Sequence, residues 1–206
     1  MNFLAHLALA APQEGLLIGN FIADHVKGNR WQAFAPSIQA GILLHRAIDY
    51  FADTHPIARQ STRRLQPRYR LYAGVIVDVF YDHFLAASWE DYVEMPLSVF
   101  SQSIYALMQQ HYDMLPVTSQ LFLQYARQHD ILVGYASLET IGRVLQGMAR
   151  RLAKPAGIET AIEELLLYYD DFAQEFAQFW QAIVVFVHQE KTKLQASIQP
   201  TVCNLK

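Results

Sequence analysis

The segment His45-Arg46-Ala47-Ile48-Asp49 sets an imidazole and a carboxylate four residues apart, so on a helix they share one face, one turn apart. Asp78 and Asp82 repeat that spacing inside Val75-Ile-Val-Asp-Val-Phe-Tyr-Asp-His-Phe-Leu85, with His83 directly after. A carboxylate in such apolar company is costly to bury unless an arginine, a hydrogen-bond network or a metal compensates it. With His6, Asp24, His25 and Asp53, the first 83 residues hold a mixed His/carboxylate set of the kind that binds Mn²⁺, Fe²⁺ or Zn²⁺. Two plainer readings stand beside it: His45 and Asp49 as an ordinary intrahelical pair, and Asp82 as the buried partner of Arg46. His129-Asp130 is the one His-Asp dipeptide, but it falls where a helix ends, a common place for a histidine facing a helix dipole. No glycine-rich phosphate loop and no Gly-x-Ser-x-Gly elbow occurs.

A second cluster is cationic. Arg59, Arg63, Arg64, Arg68 and Arg70 lie within twelve residues with no acid among them. Such a run is either a solvated helix face or a site for an anionic partner. The net charge of −3 and the absence of interleaved aromatics argue against nucleic acid. That near-neutral sum hides an uneven distribution: residues 1–89 carry 8 basic and 6 acidic side chains, residues 90–206 carry 8 and 13.

The elements that must position these groups read as helices. Only 9 glycines and 8 prolines punctuate 206 residues, too few for the corners of an all-β fold, and 52% apolar content supports one well-filled core. The spacing predicts an all-α, single-domain bundle of seven to nine helices over residues 1–190, with 191–206 as a C-terminal tail. The predicted helices run from an Asn2 cap to Ala11, Gly15–Val26, Pro36–Asp53, Pro56 onward (the arginine-rich helix), Tyr69–Ser88, Pro96–Asp113, Val117–His129 and Ser137–Leu152. A long amphipathic helix over Ile158–Lys191 completes them. The apolar N-terminus has no basic residue before Lys27 and is not read as a secretory signal; no apolar run reaches the roughly 20 residues of a membrane span. A single cysteine, Cys203, excludes an intrachain disulfide, and a cytoplasmic protein is expected.

Five spaced elements together resemble the acyl carrier protein phosphodiesterase family. They are Asn2-Phe-Leu-Ala-His6, Gly19-Asn20-Phe-Ile-Ala-Asp24 with Val26-Lys27-Gly28, Gly41-Ile-Leu-Leu-His45-Arg46-Ala-Ile-Asp49 with Asp53, Asp82-His83-Phe-Leu85, and Leu145-Gln-Gly147-Met-Ala149-Arg-Arg151. The resemblance spans about residues 1–190 and departs at His25, where an apolar or aromatic residue is expected. It implies a helical hydrolase, remotely related to the His-Asp phosphohydrolases with the pair reversed, that removes 4′-phosphopantetheine from holo acyl carrier protein. It also implies a divalent cation, Mn²⁺ in preference to Fe²⁺, Mg²⁺ or Zn²⁺.

Resemblance and chemistry converge on Asp24, His45, Asp82 and His83 as ligands. Asp49 and His6 join them as ligands, orienting groups or general acid/base, and Arg46 as a clamp on the substrate phosphate. Acyl carrier proteins are acidic, so Arg59, Arg63, Arg64 and Arg68 become a docking surface. A nucleotide-directed phosphohydrolase and a non-enzymatic helical interaction module are the alternatives. Oligomeric state is not legible.

Overall fold

The computed structural model describes residues 2–198, and among them every regular element is helical. The α-helices are α1 (Phe3–Ala10), α2 (Glu14–Ile22), α3 (Pro36–Thr54), α4 (Pro56–Tyr69), α5 (Ala73–Ala87), α6 (Leu97–Gln110), α7 (Val117–Gln128), α8 (Ile131–Gly134), α9 (Leu138–Ala149), α10 (Ala161–Leu167) and α11 (Tyr169–Ile198). They enclose one hydrophobic core.

Helix α5 is the axis of that core. Residues Val79 to Ala86 are buried without interruption, which is why its sequence is apolar on every side rather than on one stripe. Across it lies α11, whose Phe172, Phe176, Phe179 and Ile183 recur at helical spacing and are buried. Phe172 meets Phe80 edge-on and Phe176 meets Tyr81 edge-on, with ring centroids 5.2 and 5.5 Å apart.

Helices α2 and α3 approach unusually closely because each presents a glycine at the crossing. A methyl group on Gly19 would stand 2.3 Å from the Ile38 carbonyl oxygen, and one on Gly41 would stand 2.6 Å from that of Leu16. Backbone is in the way on both sides, so only glycine fits. The contact brings Asp24, just past the end of α2, against the middle of α3.

Eleven α-helices stand among the described residues where seven to nine were expected, with α8 unforeseen, and of the boundaries that differ three matter most here. Helix α2 stops at Ile22, and Ala23–His25 tighten into a 3₁₀ turn that leaves Asp24 at a helix end. The single helix expected over Ile158–Lys191 is broken at Tyr168 (φ −117°, ψ 31°) into α10, which packs on α9, and α11, which packs on α3 to α5. No glycine or proline marks that break. At the other end α11 continues through Lys191, whose ammonium donates to the Ala11 carbonyl at 2.7 Å, to Ile198; Cys203 and the rest of the expected tail lie outside the described residues.

The N-terminus of α1 is capped from a distance. Asn2 donates its side-chain amide to the Tyr135 hydroxyl at 2.8 Å instead of capping its own helix. The amides of Leu4 and Ala5 donate to the two carboxylate oxygens of Asp82, at 2.8 and 3.1 Å. Burial pushes Asp82 up to about 7 while those amides pull it down.

Candidate metal centre

Four side chains from three elements converge where α1, α2 and α3 meet. His6 comes from α1, Asp24 from the 3₁₀ turn after α2, and His45 and Asp49 from one face of α3. His6 Nε2 stands 3.0 Å from Asp49 Oδ1; His45 Nε2 stands 3.2 Å from both Asp24 Oδ1 and Asp49 Oδ2. The imidazole rings stack with centroids 3.9 Å apart. Both imidazoles are buried, whereas the Asp49 and Asp24 carboxylates are 42% and 59% exposed, so the group opens to solvent on its acidic side.

Asn20 fixes the state of His6. Its Nδ2 donates to the carbonyls of Leu16 and Gly41, both at 3.0 Å, so its Oδ1 is the atom that faces His6 Nδ1 at 3.2 Å. An amide oxygen only accepts, so His6 Nδ1 carries the hydrogen. In the neutral ring the Nε2 lone pair then points at a carboxylate oxygen 3.0 Å away. Two acceptors approach that closely only with a proton or a cation between them. Burial and the neighbouring His45 push His6 below its ordinary value, against the bond from Asp49. His45 goes the other way: burial lowers it, but the bonds to Asp24 and Asp49 prevail and hold it up at about 9. The bond with His45 keeps Asp24 below its usual range; burial raises Asp49, but its bonds with His45 and His6 prevail and hold it below as well.

Two imidazoles and a carboxylate form a donor set that could hold a metal ion. One atom each from His6, His45 and Asp49 lie within 4.8 Å of one another. His6, His45 and Asp49 would hold such an ion, with Asp24 within reach. Beside them is a cavity of about 10 Å³ walled by Phe3, His6, Asn20, Phe21, Asp24 and His45, with room for about one ion or water.

The other expected site residues lie elsewhere. Asp82 and His83 were expected as ligands with Asp24 and His45, and the structure does not bring them to that group. Asp82 spends both oxygens on the N-terminus of α1, and His83 donates from Nδ1 to the Tyr135 carbonyl (2.8 Å) and accepts at Nε2 from the Tyr169 hydroxyl (3.0 Å). Arg46 is exposed and donates to the carbonyls of Val26 (3.3 Å) and Gly28 (3.4 Å), bracing the loop that follows Asp24. His25 Nδ1 meets Ser119 Oγ at 2.8 Å, and Asp130 accepts from Ser101 Oγ.

The arginine run divides. Arg64 makes a paired bond to buried Glu175 at 2.7 Å through each terminal nitrogen, and Arg68 bonds Glu164 (2.8 Å) and Glu163 (3.2 Å). The acid-free character of the run therefore holds only along the chain, because α10 and α11 supply acids from about a hundred residues away. Arg59 and Arg63 make no ion pair among the described residues.

The family model for acyl carrier protein phosphodiesterase matches residues 1–183. The chain belongs to that family. Among its relatives, an acyl carrier protein phosphodiesterase of Yersinia pestis is 35% identical over 185 residues, covering 89% of this chain and 96% of the relative. One of Escherichia coli O6:H1 is 36% identical over 184 residues (87% and 94%), and one of Photorhabdus laumondii is 34% identical over 181 (87% and 91%). No solved structure matches the chain significantly. Sequence reasoning missed one member of the site, Asn20, although a carboxamide inside the apolar run Leu16-Leu-Ile-Gly-Asn-Phe-Ile22 is itself a signal that a buried polar partner waits.

Proposed function

We propose that the His6–His45–Asp49 group, with Asp24 at its mouth, binds one divalent cation, Mn²⁺ by preference, and that the protein hydrolyses the phosphodiester linking 4′-phosphopantetheine to holo acyl carrier protein. The observation that carries the reading is the Nε2 lone pair of His6, fixed by Asn20 and aimed at Asp49 Oδ1. A bound divalent cation supplies Lewis acidity to the phosphoryl oxygens and makes a nucleophile of water at neutral pH. The chain does the rest. Asn20 and the stacked rings hold the two Nε2 atoms on one point, and Asp49 bridges them with one oxygen to each. Asp24 is the most exposed of the four and accepts the proton of the attacking water, releasing it to solvent through its open side. Arg46 positions Asp24 through the Val26 and Gly28 carbonyls, and Asp82 positions His6 by capping α1.

The substrate comes from the relatives' names together with this chemistry. Incubation of the protein with holo acyl carrier protein and Mn²⁺, followed by intact-mass spectrometry of the carrier, tests it: the carrier should lose the mass of its prosthetic group. A carrier of unchanged mass with Mn²⁺, Fe²⁺, Mg²⁺ and Zn²⁺ in turn would refute the assignment, and turnover of a nucleotide in the same mixtures would favour the alternative.

A further inference from the structure

A cleft of about 370 Å³ opens between α3, α4 and α5, walled by Asp53, Arg59, Thr62, Arg63, Gly74 and Asp78 among others. It approaches the metal group along α3, and α5 forms its other wall. Asp53 is one turn past Asp49 on α3, about 6 Å along the axis, and Asp78 is one turn before Asp82 on α5. Ala58, Val77 and Tyr81 are buried beneath it, and Gly74 leaves space on its wall: a methyl group there would meet no other element within 4 Å. Its rim carries the two arginines of the α4 run that make no ion pair among the described residues, whereas Arg64 and Arg68 are held by α10 and α11. Guanidinium donors, carboxylate acceptors and the Thr62 hydroxyl thus line one cleft whose Asp53 wall is one helical turn from Asp49.

We infer that this cleft seats the prosthetic arm of the carrier, with Arg59 and Arg63 at its mouth engaging the carrier's acidic surface, Gly74 leaving room for the arm at the wall and the phosphodiester end lying towards Asp49. The inference rests on the function proposed above and adds where the substrate lies. A thin chain of amides and hydroxyls needs both donors and acceptors along a narrow wall, and this wall provides them. An acidic protein needs unneutralised cations, and on α4 only Arg59 and Arg63 among the expected four qualify.

Binding of holo and apo carrier, measured by calorimetry with chelator present so that no turnover occurs, tests the two halves separately. The parent should bind holo carrier about tenfold or more tighter than apo carrier. Gly74→Trp should erase that preference while melting at or above the parent, since glycine in an open helical position is unfavourable. Gly74→Met serves where the tryptophan lowers the melting temperature. Arg59→Glu with Arg63→Glu should weaken holo and apo carrier alike, about tenfold at low ionic strength, and converge on the parent as salt rises. A holo preference that survives both Gly74 variants places the arm elsewhere, and affinities unmoved by the double charge reversal place the carrier elsewhere. Failure of the underlying function is distinguishable, because it shows as an intact holo carrier in the mass assay with the parent protein and metal.

Discussion

Raising the pH from 6.5 to 8.5 should tighten Mn²⁺ binding about 100-fold, because the cation and a proton compete for the same atom. In the metal-free protein burial lowers His45, but the Asp24 and Asp49 bonds at 3.2 Å outweigh it and hold the ring up at about 9. His45 Nε2 must shed that proton before it can ligate, so one proton leaves per ion bound anywhere below about 9. Each pH unit then changes the affinity tenfold, about 1.4 kcal/mol, and two units change it by about 2.7 kcal/mol. Burial and the neighbouring His45 push His6 down, against its bond with Asp49, so the slope over this range is assigned to His45. Folding stability gives the companion sign. A group raised from 6.5 to about 9 contributes stability that is complete below 6.5 and is lost as the pH climbs through 9, so the metal-free protein should melt lower with rising pH while the Mn²⁺-loaded protein should not. Calorimetric titration with Mn²⁺ in two buffers of different ionisation enthalpy reads both affinity and proton count; His45→Gln should bind weakly and without slope. An affinity that stays flat from 6.5 to 8.5, or a proton count of zero, would refute the reasoning.

Asn20→Leu removes the acceptor that holds the hydrogen on His6 Nδ1 and should weaken Mn²⁺ binding 10–100-fold, the range typical of losing a ligand's orienting partner, with a smaller effect on melting; equal affinity would show that Asn20 does not set the tautomer. Gly41→Ala gains helix propensity but drives a methyl against the Leu16 and Gly15 carbonyl oxygens, so chemical denaturation should register a loss of about 1–3 kcal/mol rather than the gain expected at an open helical site. Glu175→Gln removes the charge of the paired bond to half-buried Arg64, which keeps Asp171 at 3.6 Å, and should cost about 1.5–3 kcal/mol. Burial raises Glu175, yet its bonds from Arg64, Ser61 and Gln60 lower it overall, so its contribution is present above the ordinary glutamate range and is lost as the pH falls through its depressed value; the parent's acid unfolding should therefore show a slope that Glu175→Gln lacks.

What the sequence made legible was governed by short-range geometry. His45 and Asp49 share a helix face by spacing alone, and His6 and Asp24 stand out as polar groups in apolar segments; the structure brings all four together. Asp82 and His83 were misleading for a geometric reason: neighbours on a helix point about 100° apart, so one α5 residue reaches α1 and the other reaches Tyr135 and Tyr169. The neutralisation of Arg64 and Arg68 depends on acids about a hundred residues distant, which no local pattern encodes. Likewise the break at Tyr168 has no proline or glycine to announce it; it follows from two helices finding different partners. Gly19 and Gly41 were visible as residues, but their meaning, a backbone-to-backbone crossing that delivers Asp24 to His45, exists only in the packed pair.

The most direct test of the central claim is metal content and turnover measured on the same preparations. Elemental analysis of Mn²⁺-reconstituted protein after desalting should find one ion per chain in the parent and none in His45→Ala or Asp49→Ala, both folded by circular dichroism, and only the parent should convert holo to apo carrier. Retention of the ion, or of carrier turnover, in either variant would contradict a metal centre built on His6, His45 and Asp49.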